Sequence, residues 1–316
     1  MPARILVVGV ERSGTSWVGG TLRSTPGAGF VGEPDHPELN PFAVRAVEGL
    51  GSHPVIARDE PGPAAYRKLW DAAFGAVPRY ARGQGRISRA IFRSAERDDR
   101  LAVCHPEHPR VAPRLRIASA LAVPKHVTGH MRTRVVKSVR VHFALDWLRA
   151  NWNPTVVVCR RHPLDVVASA LAVDIPPGLD WLAPAARAQA MERFGVAEPS
   201  TVDLLTCMAW RTGLLMSVLD EHVRRHPELH VADHENLCGA PVERMRELVT
   251  SIGLEWTQDS EDFVIERDRP GTGFQVSRVA SEQPGKWRTR LSADDARTAA
   301  RVLAQFPISD AYDLHV

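Results

Sequence analysis

The stretch 4–10 constrains this chain more than any other feature: after Arg4 it is an unbroken apolar run that leads into a glycine loop. A run without polar alternation suits a strand buried on both faces, the kind found in parallel sheets covered by helices. Gly9 and Gly14 bracket a turn, and the segment from Thr15 to Arg23 has helical character. Pro26-Gly27 stops it, and 29–32 reads as a short second strand. Strand, glycine loop, helix and strand make the first βαβ unit of a doubly wound sheet.

The rest of the chain extends that scheme. Short strands are expected at 134–137, 155–159 and, more weakly, 229–232, with helices at 164–172, 204–222, 241–252 and 293–306. The expected fold is therefore α/β, a central parallel sheet flanked by helices, in one domain spanning 1–316. Residues 42–130 depart from the regular pattern. They are rich in Pro, Gly and Arg, with helical fragments at 64–74 and 88–97. Irregular material on a regular α/β scaffold is where acceptor substrates are usually met, so this stretch reads as an acceptor-side or lid region.

Composition removes several classes. A chain of 316 residues with 44% hydrophobic and 24% charged residues is an ordinary globular one. Its apolar stretches break before the ~18 residues of a membrane span, and 5–10 is too short for a secretory leader core, so a cytoplasmic protein is expected. Cys104, Cys159, Cys207 and Cys238 lie far apart with no paired spacing, which indicates neither a zinc knuckle nor a disulfide framework. Cys104, His105 and His108 lack a second ligand pair, so no metal is expected. A net charge of +3 is too mild to call for nucleic acid. Among 40 basic residues only Lys68, Lys125, Lys137 and Lys286 are lysines, a bias that suits a high-GC bacterium. Trp147, Trp152, Trp181 and Trp210 fall in helices or at their ends, where packing is the default role.

The loop 9–16, Gly-Val-Glu-Arg-Ser-Gly-Thr-Ser, follows a strand and opens a helix, the context of a phosphate cradle. Loop amides and the hydroxyls of Ser13, Thr15 and Ser16 face an anion in such a loop. A nucleoside triphosphatase loop carries a lysine where Thr15 stands here. Its clamp on β- and γ-phosphates is missing, and the basic residue is instead Arg12. A dinucleotide GxGxxG is absent too.

The segment Arg12-Ser13-Gly14-Thr15-Ser16-Trp17 resembles the 5′-phosphosulfate loop of sulfotransferases that use 3′-phosphoadenosine 5′-phosphosulfate (PAPS). That resemblance implies an arginine at the end of a later strand and a serine eight residues on, gripping the donor's 3′-phosphate. Arg161 and Ser169 stand at that interval, with Arg160 as the alternative alignment. A forked guanidinium suits phosphate, and a hydroxyl in the first turns of a helix sits near its positive end. Gly285-Lys286-Trp287-Arg288 resembles the segment with which the family closes over the donor, and Ser277-Arg278 lies just upstream. His234, in His-Glu-Asn-Leu, stands where relatives often carry a tyrosine near the adenine.

The same resemblance frames the base. Cytosolic relatives use a histidine in a Lys-Thr-His segment; here the place reads Lys137-Ser138-Val139. Lys137 remains to meet the sulfuryl or bridging oxygen. Bacterial and Golgi-type relatives use a glutamate after the first helix, and Gly32-Glu33-Pro34 matches that segment. Pro34 biases Glu33 towards an extended backbone. Glu33 is the first candidate base, His36 the rival with the more suitable resting pKa, and His142 a distant third. What the resemblance implies is sulfuryl transfer from PAPS to a hydroxyl of a small-molecule, glycolipid or sugar acceptor, leaving adenosine 3′,5′-bisphosphate (PAP), without a metal. Natural-product tailoring in a bacterium is one such setting. The alternative is an ATP-dependent P-loop phosphotransferase. Neither the acceptor nor the oligomeric state is written in the sequence.

Overall fold

A computed structural model of the chain describes residues 3–75, 82–103, 111–127, 131–173, 182–199, 203–310 and 312–316. Strand β1 (Ala3–Gly9) leads to α1 (Thr15–Arg23) and β2 (Ala28–Gly32). Helices α2 (Pro41–Ala46), α3 (Ala64–Phe74), α4 (Arg82–Arg93), α5 (Arg97–Ala102) and α6 (Pro113–Ala120) come next. Then follow β3 (Thr133–Ser138), a 3₁₀ turn at His142–Ala144, α7 (Leu145–Trp152), β4 (Thr155–Arg160) and α8 (Pro163–Leu171). The chain continues through α9 (Pro184–Phe194), α10 (Leu204–Arg225), β5 (His230–Asp233), α11 (His234–Gly239), α12 (Pro241–Ser251) and α13 (Gln258–Arg267). It ends with α14 (Trp287–Arg290), α15 (Ala293–Leu303) and a 3₁₀ turn at Pro307–Asp310.

The five strands form one parallel sheet in the order β2-β3-β1-β4-β5. The expected α/β fold with a central parallel sheet is what the chain adopts. In the register, Gly32 pairs with Lys137 and Arg160 with Asp233. Ile5, Leu6, Val7 and Val8 are buried along β1, and every residue of β3 is buried, as strands covered on both faces require. The strand order reverses at β1, so the glycine loop leaves the carboxyl end of the central strand at the switch point.

The chain forms two compact units. The first comprises Met1–Leu6, Gly27–Pro154 and Asp180–Ala188. Its core is aromatic: Tyr66 stacks on Trp147 at 5.7 Å between centroids, Trp70 on Phe74 at 5.8 Å, and Trp147 meets Trp152 edge-on at 5.0 Å. The indoles of Trp147 and Trp152 donate to Glu60 O and Asp71 Oδ1, which makes both rings affordable in the interior. The second comprises Val7–Pro26, Thr155–Leu179 and Gln189–Val316. There Trp210 packs against Phe306 and donates to Ala197 O. The tryptophans at 147, 152 and 210 are thus core residues. Trp181, with Cys104, His105 and His108, lies outside the described residues.

The structure departs from the sequence reading in several places, with α6, α9, α11, α13 and α14 among the helices not expected. The fragment expected at 88–97 is two helices, because Ser94 Oγ bonds back to Ile91 O and closes α4 before α5 begins. The short helix α2 was not expected, although its start is written as Asn40-Pro41: the Asn40 side chain accepts from Phe42 N with Pro41 at the first helical position. The last helix stops at Leu303 rather than 306, ahead of Pro307. Among the described residues, no helix is long and apolar enough to cross a membrane.

Candidate active site

The second unit holds the glycine loop. Arg12 has φ 73° and Gly14 φ 93°, so the loop turns through left-handed backbone at two points. Gly14 is required twice over: its φ suits no side chain, and a Cβ there would lie 2.9 Å from the His234 ring. A Cβ on Gly9 would strike Ser13 Oγ at 2.5 Å. Helix α1 then starts with no side-chain cap and no acidic residue in its first turn, leaving its amide dipoles for an anion. Ser13 is buried and its hydroxyl donates inward to Val10 O at 2.7 Å, Thr15 is buried, and Ser16 is exposed. The Trp17 indole Nε1 is buried without a hydrogen-bond partner.

Arginines converge on this loop. Arg12 Nε donates to Ser169 Oγ at 3.0 Å, and its Nη2 donates to Gly273 O at 3.2 Å. Arg161 Nη1 donates to Arg12 O at 3.0 Å, while its Nε has no partner. Arg278 Nη2 donates to the same Gly273 carbonyl at 2.7 Å. Burial pushes Arg12 down to about 10, and Arg278, Arg161 and Arg290 push in the same direction. Among the described residues, the charges that perturb Arg12 are other guanidiniums. Burial also lowers Arg161, opposed by Asp165 and Glu235. The neighbouring Arg160 is engaged elsewhere, in an ion pair with Asp220 at 2.6 Å. Of the two alignments, the Arg161 one puts a guanidinium on the loop.

The closing segment is folded onto α8. Gly285 N and Trp287 N both donate to the Asp165 carboxylate, each at 2.8 Å. Trp287 is buried and stacks on His162 at 6.2 Å. Lys286 pairs with Glu282 at 3.7 Å, and Arg288 lies over the Trp287 ring at 4.4 Å. His234 is buried against Gly14 and edge-on to Trp17 at 6.1 Å; burial, then Arg161, lowers its pKa to about 3. It is a neutral ring packed on the loop.

The first unit holds the candidate bases. Glu33 follows β2, and its N–H continues the ladder to Lys137 O at 2.8 Å. Its φ is 47°, not the extended value that Pro34 was expected to impose. The side chain accounts for this: its carboxylate turns back to the Lys137 ammonium and accepts from Val139 N at 3.3 Å, while Lys125 Nζ caps Gly32 O and Glu33 O at 3.0 and 3.3 Å. Such a conformation costs ~1–3 kcal/mol and persists only where the surroundings fix it.

Asp35 is fully buried and accepts from Ser138 Oγ at 2.9 and 2.8 Å; burial, then the Glu33 charge, raises its pKa to about 6. His36 Nε2 meets Arg140 Nη2 at 3.0 Å. A guanidinium only donates, so that nitrogen is the acceptor and its lone pair is occupied. Burial, Arg140, Lys125 and Lys137 hold His36 well below the usual histidine range. His142 is buried in the 3₁₀ turn, 5.2 Å from the His53 ring.

No protein-family model matches the chain, and no curated protein does. Solved structures do. The chain is similar to the sulfotransferase domain from the curacin biosynthetic pathway, at 12% identity and a TM-score of 0.47, covering 100% of this chain and 99% of that one. A second is sulfotransferase STF9 from Mycobacterium avium, at 12% identity and a TM-score of 0.41, covering 100% of this chain and 78% of that one. A third is retinol dehydratase in complex with androsterone and inactive cofactor PAP, at 14% identity and 0.39, covering 99% and 82%.

Within the second unit, then, Arg12, Arg161, Ser169 and Arg278 come together, as do Trp17, Gly14 and His234. Lys286 and Arg288 turn to other partners. In the first unit, Glu33 and Lys137 are in contact. The sequence reading missed Arg290, whose charge reaches both Arg12 and Arg161, and Asp165. It also missed Lys125, which donates to the Gly32 and Glu33 carbonyls, and Asp35, which is held by Ser138 and feels the Glu33 charge. Asp165 stood midway between Arg161 and Ser169, four residues from each, and that spacing was the available signal.

Proposed function

We propose that this chain is a PAPS-dependent sulfotransferase, acting as one domain over 1–316 with residues 42–130 on its acceptor side. The observation that carries the reading is the loop of Arg12. An uncapped helix start, a partnerless Trp17 N–H and an Arg12 guanidinium facing other guanidiniums form a set of donors on this loop. Buried like charges persist where a ligand of opposite charge completes them. Three phosphate-sized anionic groups on one donor suit this array, and neutralising it needs no metal.

The roles follow by residue. Arg12, the loop amides and the hydroxyls of Thr15 and Ser16 hold the 5′ end of PAPS; Arg161, Ser169 and Arg278 hold its 3′-phosphate. Gly285, Lys286, Trp287 and Arg288 close that side, and Trp17 with His234 borders the base. PAPS supplies the sulfuryl group. Glu33 takes the proton of the acceptor hydroxyl, at Oε1 or Oε2. Once Glu33 is neutral, the Lys137 ammonium loses its counter-ion and becomes available to an oxygen gaining charge. Glu33 is preferred to His36 because the His36 Nε2 lone pair is committed to Arg140. The acceptor is a hydroxyl of a small molecule, a glycolipid or a sugar, and the protein works in the cytoplasm.

The test is ligand-specific stabilisation followed by turnover. PAP is expected to raise the unfolding temperature where ATP with Mg²⁺ does not, and PAPS with a panel of phenols, sugars and glycolipids is expected to yield PAP. Stabilisation by ATP-Mg²⁺ alone would move the chain to the P-loop phosphotransferases.

A further inference from the structure

On the reading just given, a carboxylate has no electrostatic business beside Arg161. An acid there repels a phosphate and weakens donor binding. Yet Asp165 is buried, and its charge acts on Arg161. The geometry says what it does instead. Residues 161, 165 and 169 are spaced four and four, so Asp165 and Ser169 lie on one face of α8 and Arg161 precedes them by a turn. Ser169 receives Arg12 of the glycine loop, and Arg161 reaches the Arg12 carbonyl. Asp165 does not cap its own helix. Both its oxygens are aligned on the amides of Gly285 and Trp287, at 2.8 Å each. The start of α8 is held from outside instead, by Glu235 Oε1 accepting from His162 N at 2.9 Å.

We propose that Asp165 is a positioning residue that registers the closing segment 285–287 on the same helix face that carries the phosphate grip. It touches no substrate. It fixes where Gly285 turns, at φ 72°, and where Trp287 is buried, so that the segment and the Arg161–Ser169 pair present one preset surface to the donor. Two amide bonds also spread its charge, which lets the acid stay among arginines.

The idea rests on the sulfotransferase reading, and the experiment separates the two. Amide hydrogen exchange is measured over 283–290 in the unliganded wild type, Asp165→Asn and Asp165→Ala, and calorimetry gives the PAP Kd for each. Asn keeps the shape and one acceptor; Ala keeps neither. The segment should exchange faster in the order Ala, Asn, wild type. PAP should bind about ten- to a hundredfold more weakly to Asp165→Ala, the loss of charge-assisted bonds that set the segment, with Asn between. The KM for PAPS should rise with the Kd while kcat falls by less. Tighter PAP binding by Asp165→Asn, which pure charge removal demands, would overturn the proposal, as would unchanged exchange over 283–290. Should Asp165→Ala not fold, the Asn comparison decides by the same signs. If the wild type ignores PAP, the sulfotransferase reading fails, and the exchange data alone still judge the role of Asp165 in the segment.

Discussion

If Arg161 grips the donor as proposed, the adjacent Arg160 and Arg161 have opposite jobs, and replacing each by alanine should give crossed results. Arg161 is buried with its Nε unpartnered, its Nη1 and Nη2 on the Arg12 and Gln283 carbonyls and, among the described residues, no carboxylate bonded to it. Losing it removes charge-assisted bonds to the donor's 3′-phosphate worth ~1.5–3 kcal/mol, or about ten- to more than a hundredfold in PAP affinity. Folding should suffer little, since the change removes the burial cost of the cation and its repulsion with Arg290 together with its attraction to Asp165 and Glu235. Arg160 is paired with Asp220, whose side chain is only 8% exposed. Its removal leaves that carboxylate without its cation, at a cost of about 3 kcal/mol, near the lower limit for breaking a buried pair because Arg160 is itself 25% exposed. Calorimetry with PAP and with adenosine 5′-phosphosulfate, which lacks the 3′-phosphate, reads the first effect; thermal unfolding reads the second. Arg161→Ala should lose PAP and keep the phosphosulfate, and Arg160→Ala should unfold earlier while binding PAP normally. Equal losses for both ligands on Arg161→Ala, or a PAP defect confined to Arg160→Ala, would refute the assignment.

Glu33→Gln preserves shape and removes the proton acceptor, so steady-state turnover should fall by ~10²–10⁴-fold with the PAP Kd unchanged, whereas a larger loss from His36→Ala would pass the role to the histidine. Gly14→Ala forces a side chain into φ 93° and against His234, and should lower stability by at least ~1–2 kcal/mol in denaturant titrations. Burial keeps His36, His53 and His234 neutral in the fold, with His234 at about 3, so the unfolded chain binds more protons below ~6.5 and stability should fall as pH drops from there towards 3. Asp35 has the opposite sign: raised to about 6, it carries a penalty on the order of 3 kcal/mol above pH 6 that is relieved on acidification, and Asp35→Asn should remove that component from the stability–pH curve.

The fold was legible because its strands obey one simple rule. Strands covered on both faces have no polar alternation, so β1 and β4 stood out as apolar runs, while β3 showed only a Val-Val pair between Arg134 and Lys137. What escaped were elements set by capping chemistry rather than by periodicity. Helices α2 and α6 start on a proline, and α4 carries Gly83 and Gly85 inside its span. Their faces are shaped by neighbours within the first unit, such as Ser88 Oγ bonding to Ala118 O, and no single-segment pattern records that partner.

The site divides along the same line. Residues proposed to act through their own side-chain type at a fixed spacing, such as Arg12, Arg161, Ser169 and Glu33, could be named in advance. Residues that act by holding something else could not. Asp165 works through two amides 120 and 122 residues away, and Lys125 through the carbonyls of Gly32 and Glu33 more than ninety residues upstream. Glu33 shows why this matters for mechanism. A sequence rule for the residue before proline called for extended backbone, and local sterics alone would have given it. Lys125, Lys137 and the Val139 amide overrule that preference together, at a φ of 47°. A residue held off its local optimum by three separate partners is one whose carboxylate direction is fixed before any acceptor arrives, which is the condition a general base needs to meet a hydroxyl at hydrogen-bond distance.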